Sequence, residues 1–279
     1  MKPATSALAK SAALLLALAS ISCLAQNNPA QTSPAPTPAA PATGSTAPAH
    51  PAPSPAPPSP FNRTVILLDP AHGGLDSGSR ISESIVEKDV TLTFAFKLRS
   101  LLAARGFSVV MTRDSDAATL PNTPGTPLTL DDRAGIANHA HPVACLLLHA
   151  TAAGAGIHLY SSELDAPDPN AAETFGAPWL TAQAAWVTQS QRLQKSLGLA
   201  LTRANIPLVL SRASVRPVDS LTCPALVVEL APNAGDNASL IDSTYQQHVA
   251  EVIATALVFW QNQAQPPDRA TPTPTGAQP

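Results

Sequence analysis

Charged side chains are scarce in this chain: Asp, Glu, Lys and Arg make up 13% of its 279 residues, and the formal net charge is −3. Lys and Arg form no run or stripe along the sequence. Proteins that bind a nucleic-acid backbone normally show such a basic footprint, so the composition argues against a nucleic-acid partner. A strong surface charge field is also excluded as part of the mechanism.

Cysteine is rare as well, with three residues in the whole sequence. Cys23 lies near the N-terminus, which leaves Cys145 and Cys223 in the rest of the chain. A disulfide between these two would need an oxidising compartment. The interpretation we expect instead is two small buried residues on or beside core strands.

Proline, by contrast, is abundant, and most of its 30 residues fall in two segments, 26–60 and 263–279. These segments have little apolar surface to bury, so we expect a disordered or polyproline II linker and a frayed tail. The part between them, 61–262, predicts one globular domain of about 200 residues.

The first 25 residues predict an export signal. Two lysines precede the apolar run Ser11–Ile21, which is too short to span a bilayer and is followed by small residues. Ser20–Cys23 resembles a bacterial lipobox, which would place a lipid on Cys23 and tether the protein to a membrane. Cleavage after Ala25 by the ordinary signal peptidase is the alternative.

Within the domain, short apolar runs alternate with longer segments of helical periodicity. Asp89 is the expected N-cap of the first helix, and Gly106 is expected to close it. This alternation predicts an α/β domain with a mostly parallel or mixed central sheet and helices on both faces. The predicted strands are 64–69, 107–112, 143–148, 156–160, 208–210 and 225–230, and the predicted helices are 90–105, 130–140, 181–204 and 243–261.

Polar side chains stand at the ends of three predicted strands. His72 follows the first strand, His149 closes the third, and Glu229 closes the strand that begins at Ala225. In open α/β sheets the ligand crevice lies beyond the carboxyl ends of the strands, so these side chains are expected to converge. Glu87, just before the first helix, can face the same edge.

Two histidines and two glutamates permit a specific chemistry. Two imidazoles and one carboxylate can hold a catalytic zinc ion whose fourth position carries water, and the metal lowers the pKa of that water to about 7. The second carboxylate then serves as general base. Position alone leaves the roles of Glu87 and Glu229 exchangeable, and a single His at a strand end is more often structural than a ligand.

Several motifs in chain order resemble one known family. They are Ile66–Gly78 with its Asp-Pro-Ala-His-Gly-Gly core, Glu87–Val90, Val109–Asp114, the pair Arg133 and Asn138, His149–Thr151 and Pro224–Glu229. Together they cover about Thr64 to Gln261 and resemble the zinc-dependent N-acetylmuramoyl-L-alanine amidases of the amidase-3 family. Such an enzyme cleaves peptidoglycan between N-acetylmuramic acid and the L-Ala of the stem peptide.

The resemblance implies that His72, Glu87 and His149 bind one Zn²⁺ and that Glu229 is the catalytic general base. It implies an exported enzyme of the periplasm or cell envelope that acts in cell-wall remodelling or cell separation. The expected partners are peptidoglycan, a membrane reached through a lipid on Cys23, and a protein activator.

The predicted substrate-binding residues are less specific. Arg113 and Arg133 are candidates for binding substrate carboxylates or, alternatively, for pairing with structural acids. Thr151 stands where the family usually has Asn. Leu147 and Ala71 also depart from the family pattern, and Ala71 replaces a glycine that a loop with positive φ would need.

Three further residue sets carry weaker signals. His139 and His141 suggest either a second metal site or a solvated surface pair, and the surface pair is expected. His158 is expected to be structural or to line the groove. Trp179 and Trp186 are candidates for stacking on sugar or for packing a loop against the domain.

Two other functions fit the same residues. A zinc peptidase that cuts within the stem peptide could use the same ligands, and a catalytically silent peptidoglycan-binding module could retain the fold. Retention of all four key polar residues opposes the silent module.

Overall fold

Six strands and four α-helices alternate along the part of the chain that the structure describes. The structure is a computed structural model, and it describes residues 62–120, 123, 125–166 and 179–263. The strands are β1 (Asn62–Pro70), β2 (Ser108–Met111), β3 (Pro142–Ala150), β4 (Ile157–Ser162), β5 (Leu208–Ala213) and β6 (Ala225–Leu230). The helices are α1 (Glu87–Ala103), α2 (Leu130–Ala140), α3 (Val187–Arg203) and α4 (Ser243–Gln263).

The strands form one mixed sheet in the order β2-β1-β3-β6-β4-β5. The pairs of β1 with β2, β1 with β3, and β3 with β6 are parallel, and so is the pair of β4 with β5. The pair of β4 with β6 is antiparallel. The prediction of a single α/β domain with a mixed sheet is therefore confirmed.

Both faces of the sheet are covered by helices, but unequally. The larger apolar cluster lies against α1, α3 and α4 and includes Phe94, Leu197 and Ile253. The smaller cluster lies against α2 and includes Ala134 and Leu147. Successive side chains of a strand point to opposite faces, so each central strand contributes to both clusters.

The helix boundaries differ most from the sequence prediction at the N-termini of α1 and α3. Helix α1 begins at Glu87 with Val86 as N-cap, so the predicted N-cap Asp89 lies inside the first turn, where an acidic side chain favours the helix dipole. The predicted long helix 181–204 is divided: Trp179–Trp186 forms a 3₁₀ segment kinked at Thr181, and α3 follows it.

Helix α2 has the predicted bounds because its N-terminus carries a capping box. The Thr129 hydroxyl accepts from the Asp132 backbone N–H, and the Asp132 carboxylate accepts from the Thr129 backbone N–H.

The expectation of two separate buried cysteines is wrong, because Cys145 and Cys223 form a disulfide. Both residues are fully buried in the smaller cluster. Cys145 lies in β3, and Cys223 lies two residues before β6, so the parallel pairing of these strands brings the two sulfurs together. Both cysteines are buried, as expected, and they are also joined by a covalent bond.

A buried ionic network fixes the carboxyl end of β1. Arg133 of α2 donates to the Asp69 carboxylate at 2.6 Å, and Thr112 also donates to that carboxylate. Arg113 donates to the carbonyl oxygens of Pro70 and Ala71 at 2.9 and 3.0 Å. Burial lowers the pKa of Arg113 to about 10, and the guanidinium still carries its charge at neutral pH.

None of the helices in the described part of the chain combines the length and apolar character needed to cross a bilayer. The predicted export signal (1–25), the linker (26–60) and the tail after Gln263 lie outside the described residues.

We expect the disulfide to contribute strongly to stability. It closes a loop of 78 residues, and the chain-entropy argument gives about 4 kcal/mol for a loop of that length. The double variant Cys145→Ala, Cys223→Ala is expected to lose unfolding free energy of that order in urea titrations. A variant that unfolds at the parental urea concentration would contradict the expectation.

We also expect Arg133→Met to destabilise the domain by about 3–5 kcal/mol, because it leaves the Asp69 carboxylate buried without its cation. Arg216→Met is the matched control, since the ion pair of Arg216 with Asp131 is more than half exposed and is expected to contribute less than about 1 kcal/mol. Equal loss of thermal stability in the two variants would show that the buried network contributes no more to stability than the exposed ion pair does.

Candidate active site at the sheet edge

The polar residues predicted from the strand ends lie at one edge of the sheet. His72 follows β1 by two residues, His149 is the penultimate residue of β3, and Glu229 is the penultimate residue of β6. Because these strands are parallel neighbours, their carboxyl ends meet at the same edge. Glu87 reaches it as the first residue of α1.

His72, Glu87 and His149 form a tight group. Each offers one ligating atom within 4.8 Å of the others. His149 Nδ1 lies 2.8 Å from Glu87 Oε1, and His72 Nε2 lies 3.2 Å from Glu87 Oε2. The Glu87 side chain is 4% exposed, whereas each imidazole is 25% exposed. The carboxylate is therefore the buried member of the group, and the two imidazole rings are partly accessible to solvent.

Both oxygens of Glu87 also accept backbone hydrogen bonds. Ser79 N–H donates to Oε2 at 2.9 Å, and Ala150 N–H donates to Oε1 at 3.2 Å. Burial opposes the charged form, but the hydrogen bonds from His149, His72 and Ser79 outweigh it and hold the pKa of Glu87 well below its usual range. The hydrogen bond to Glu87 is also the largest cause of the raised pKa of His72.

The loop that carries His72 is fixed from several sides. His72 itself adopts a positive φ of 63°, and Arg133 donates to its carbonyl oxygen at 2.7 Å. Its Nδ1 pairs with Asp76 at 2.8 Å. Ala71 is not among the residues with positive φ, so the residue that replaces the family glycine causes no backbone strain.

Gly78 is required for the same arrangement. It has φ +65°, and a Cβ at this position would lie 2.5 Å from His72 Cδ2 and 2.8 Å from Glu87 Oε2. The motif glycine therefore lets the backbone approach both side chains, which any larger residue would displace.

Glu229 lies beside this group but outside it. In the β3–β6 register it is the partner of His149, and in the β4–β6 register it is the partner of His158. His158 Nδ1 lies 2.7 Å from Glu229 Oε2, and the Tyr160 hydroxyl donates to the same oxygen at 3.3 Å. The Glu229 side chain is 24% exposed, so it can meet solvent and a substrate.

The donor set of the group fits a zinc-type metal ion. Two imidazole nitrogens and a carboxylate oxygen are the ligands of catalytic zinc sites. The Nδ1 of His72 has its own carboxylate partner, Asp76, and such a partner orients a metal-binding imidazole. The coarse prediction of a cluster able to bind a metal is thus supported by geometry.

The other predicted site residues have different surroundings. Arg113 and Arg133 are buried, 4% and 5% exposed, and their described hydrogen bonds go to protein oxygens beneath the site. This arrangement favours the structural alternative over substrate binding. Thr151 follows β3 and is partly buried, and its hydroxyl accepts from Ala153 N–H at 3.1 Å.

The weaker signals fall outside the group. His139 and His141 are exposed, as expected for a surface pair, and the described residues contain one candidate metal group, which includes neither. Trp179 is 46% exposed and Trp186 is partly buried at the N-cap of α3. Stacking of either ring on sugar stays a prediction.

Two contacts of the site were missed by sequence reasoning. Asp76 was only part of a motif, although its spacing of four residues from His72 is a usable signal. His158 was expected to be structural or groove-lining, and its pairing with Glu229 depends on the antiparallel direction of β4, for which no sequence pattern was identified.

Comparison with known proteins identifies the family that the sequence motifs resemble. The Amidase_3 family, described as N-acetylmuramoyl-L-alanine amidase, matches residues 66–258. The N-acetylmuramoyl-L-alanine amidase LytC of Bacillus subtilis is 28% identical over 199 residues, which are 70% of this chain and 35% of LytC. A germination-specific N-acetylmuramoyl-L-alanine amidase of the same organism is 47% identical over 57 residues, 20% of this chain and 24% of that protein. The matches thus span about a third or less of these relatives.

Solved structures share the fold. The CwlD amidase of Clostridioides difficile, solved in complex with the GerS lipoprotein, has a TM-score of 0.56 at 20% identity, over 72% of this chain and 99% of CwlD. The catalytic domain of CwlV, an amidase from Bacillus (Paenibacillus) polymyxa, has a TM-score of 0.51 at 24% identity, over 71% and 98% of the two chains. Since the family match covers more than half of its length, the chain belongs to the Amidase_3 family of N-acetylmuramoyl-L-alanine amidases.

Proposed function

We propose that this protein is a zinc-dependent amidase that hydrolyses the amide bond between N-acetylmuramic acid and the L-Ala of the peptidoglycan stem peptide. The observation that carries the proposal is the tight group of His72, Glu87 and His149 with the separate carboxylate of Glu229 beside it. Family membership selects the amide bond among the bonds that such a group could hydrolyse.

In this proposal His72, Glu87 and His149 hold the zinc ion. Glu87 suits the role of ligand, because its carboxylate is buried between the two imidazoles and its lowered pKa keeps it ionised. When bound, zinc supplies an activated water near neutral pH and polarises the amide carbonyl.

Glu229 is the proposed general base. It stands next to His149 across the β3–β6 ladder, and it is the more exposed of the two carboxylates. It would take a proton from the attacking water and deliver it to the amide nitrogen, so that the stem peptide leaves as a neutral amine. This division of roles between Glu87 and Glu229 is the one that the sequence left open.

The proposed location is the periplasm or cell envelope, where the enzyme would act in wall remodelling or cell separation. The Cys145–Cys223 disulfide supports an oxidising compartment. Attachment of a lipid to Cys23 and cleavage after Ala25 are the two alternatives for processing. A protein activator is a further proposed partner, and CwlD, which has the same fold, was solved with a lipoprotein.

We expect Glu229→Gln to lower kcat on purified peptidoglycan by about 10²–10⁴-fold, the usual contribution of general acid–base catalysis. The protein should retain its zinc, because the substituted side chain is not one of the three ligands. Released products are measured by mass spectrometry, and bound zinc by elemental analysis. Glu251→Gln, an exposed glutamate on α4, is the matched control and is expected to keep parental activity.

The products distinguish the proposed function from its alternatives. Free stem peptides that begin with L-Ala support the amidase. Fragments cut within the stem peptide would identify a peptidase instead. Binding to the insoluble wall without release of any amino group, with zinc present, would indicate a silent binding module.

We expect removal of zinc by a chelator to abolish product release and a stoichiometric amount of Zn²⁺ to restore it. The melting temperature should fall on chelation, since a ligand that binds only the folded state stabilises it. Glu87→Gln is expected to bind zinc at least 10-fold more weakly, with the melting temperature insensitive to added metal. Full activity in the presence of the chelator would exclude the metal role of this group.

A further inference from the structure

His158 occupies a position that the proposed reaction has not yet used. It is the second residue of β4 and lies opposite Glu229 in the antiparallel β4–β6 ladder. Its side chain is 10% exposed, and its Nδ1 lies 2.7 Å from Glu229 Oε2. We propose that His158 is a positioning residue that holds the Glu229 carboxylate, through a hydrogen bond from its Nδ1, in the orientation needed for proton transfer. This inference rests on the proposed function.

The second ring nitrogen of His158 defines the tautomer. Nε2 is buried and has no hydrogen-bond partner among the residues that the structure describes. A carboxylate oxygen only accepts, so Nδ1 must carry the proton in the contact with Glu229. A proton on Nε2 would be a buried donor without an acceptor in the described part of the chain. The surroundings therefore favour the tautomer that carries its proton on Nδ1.

Gly154 makes room for this ring. A Cβ at position 154 would lie 2.6 Å from Nε2 of His158, and Gly154 has φ +80°, where larger residues are strained. The loop between β3 and β4 thus packs directly against the Nε2 edge of the imidazole. The ring is confined between this loop and the Glu229 carboxylate.

The two oxygens of the Glu229 carboxylate accept different numbers of hydrogen bonds. The hydrogen bonds from His158 and from the Tyr160 hydroxyl both go to Oε2. Within the described part of the chain Oε1 receives no hydrogen bond, so Oε1 is the oxygen left for the proton. In the proposed reaction the water oxygen bonds to the amide carbon as an O–H bond of water breaks and its proton moves to Oε1. The proton then moves to the amide nitrogen as the C–N bond breaks, which leaves a carboxyl group and a free amine.

The test compares two substitutions of His158 in the whole protein. His158→Leu keeps the approximate size of the side chain and removes the donor. His158→Asn places an amide N–H near the position of Nδ1 and preserves the donor. His139→Leu, at an exposed histidine on α2, is the matched control for loss of a histidine.

We expect His158→Leu to lower kcat by about 10–100-fold, the range seen when a partner that orients a catalytic ligand is removed. KM and zinc content should stay at parental values. His158→Asn should recover most of kcat, and His139→Leu should match the parent throughout.

A second measurement does not depend on the substituted proteins folding. The ¹⁵N shifts of the His158 ring in the parent protein, assigned by their loss in the His158→Asn spectrum, should show a proton on Nδ1 that is hydrogen-bonded to Glu229. A ring that carries no proton on Nδ1 would overturn the proposal.

The kinetic outcomes separate this inference from the proposed function. If the parent protein releases stem peptides and folded His158→Leu keeps parental kcat, the positioning role is wrong and the amidase stands. If His158→Leu and His158→Asn lose kcat and thermal stability to the same extent, His158 is only structural. A parent protein that releases no product overturns both proposals.

Discussion

Parallel pairing of β1, β3 and β6 is the constraint on which the site depends. The three strands carry His72, His149 and Glu229 at or just beyond their carboxyl ends, although these residues are up to 157 positions apart in the sequence. A shift of one residue in either register would turn a polar side chain from the site toward the larger apolar cluster. The same register also determines where Cys145 meets Cys223.

The two glutamates acquire different properties from their surroundings. Glu87 is buried, and both of its oxygens accept hydrogen bonds from imidazoles and backbone N–H groups. Glu229 is more exposed, and its described hydrogen bonds go to a single oxygen. A carboxylate with all its lone pairs engaged suits a fixed ligand, whereas one with an open oxygen suits a group that gains and loses a proton.

Most of the fold could be predicted from sequence because its signals are local. Helix α2 has its capping box, and β6 has the bounds 225–230 that its apolar run predicts. The convergence of His72, His149 and Glu229 was expected because each residue stands at the end of a predicted strand. What could not be predicted depends on contacts between distant segments: the disulfide, the antiparallel direction of β4, and the burial of Arg113 under the site.

The arginines illustrate the limit of motif reasoning. Arg113 and Arg133 belong to motifs of the family, and a cation near an active site suggests an anionic substrate. Their guanidinium groups instead hold the carbonyl oxygens of Pro70, Ala71 and His72. The same sequence motifs contain residues that hold a loop in place and the proposed metal ligands that the loop carries. A motif alone therefore does not separate the two roles.

The covalent link between the two catalytic strands also has a mechanical consequence. Cys145 and His149 lie on the same face of β3, and the sulfur bridge joins that strand to the segment leading into β6. Shear between β3 and β6, which would pull His149 away from Glu229, is resisted by a covalent bond as well as by the hydrogen-bonded ladder. The spacing between His149 and Glu229 is therefore held by the sheet itself.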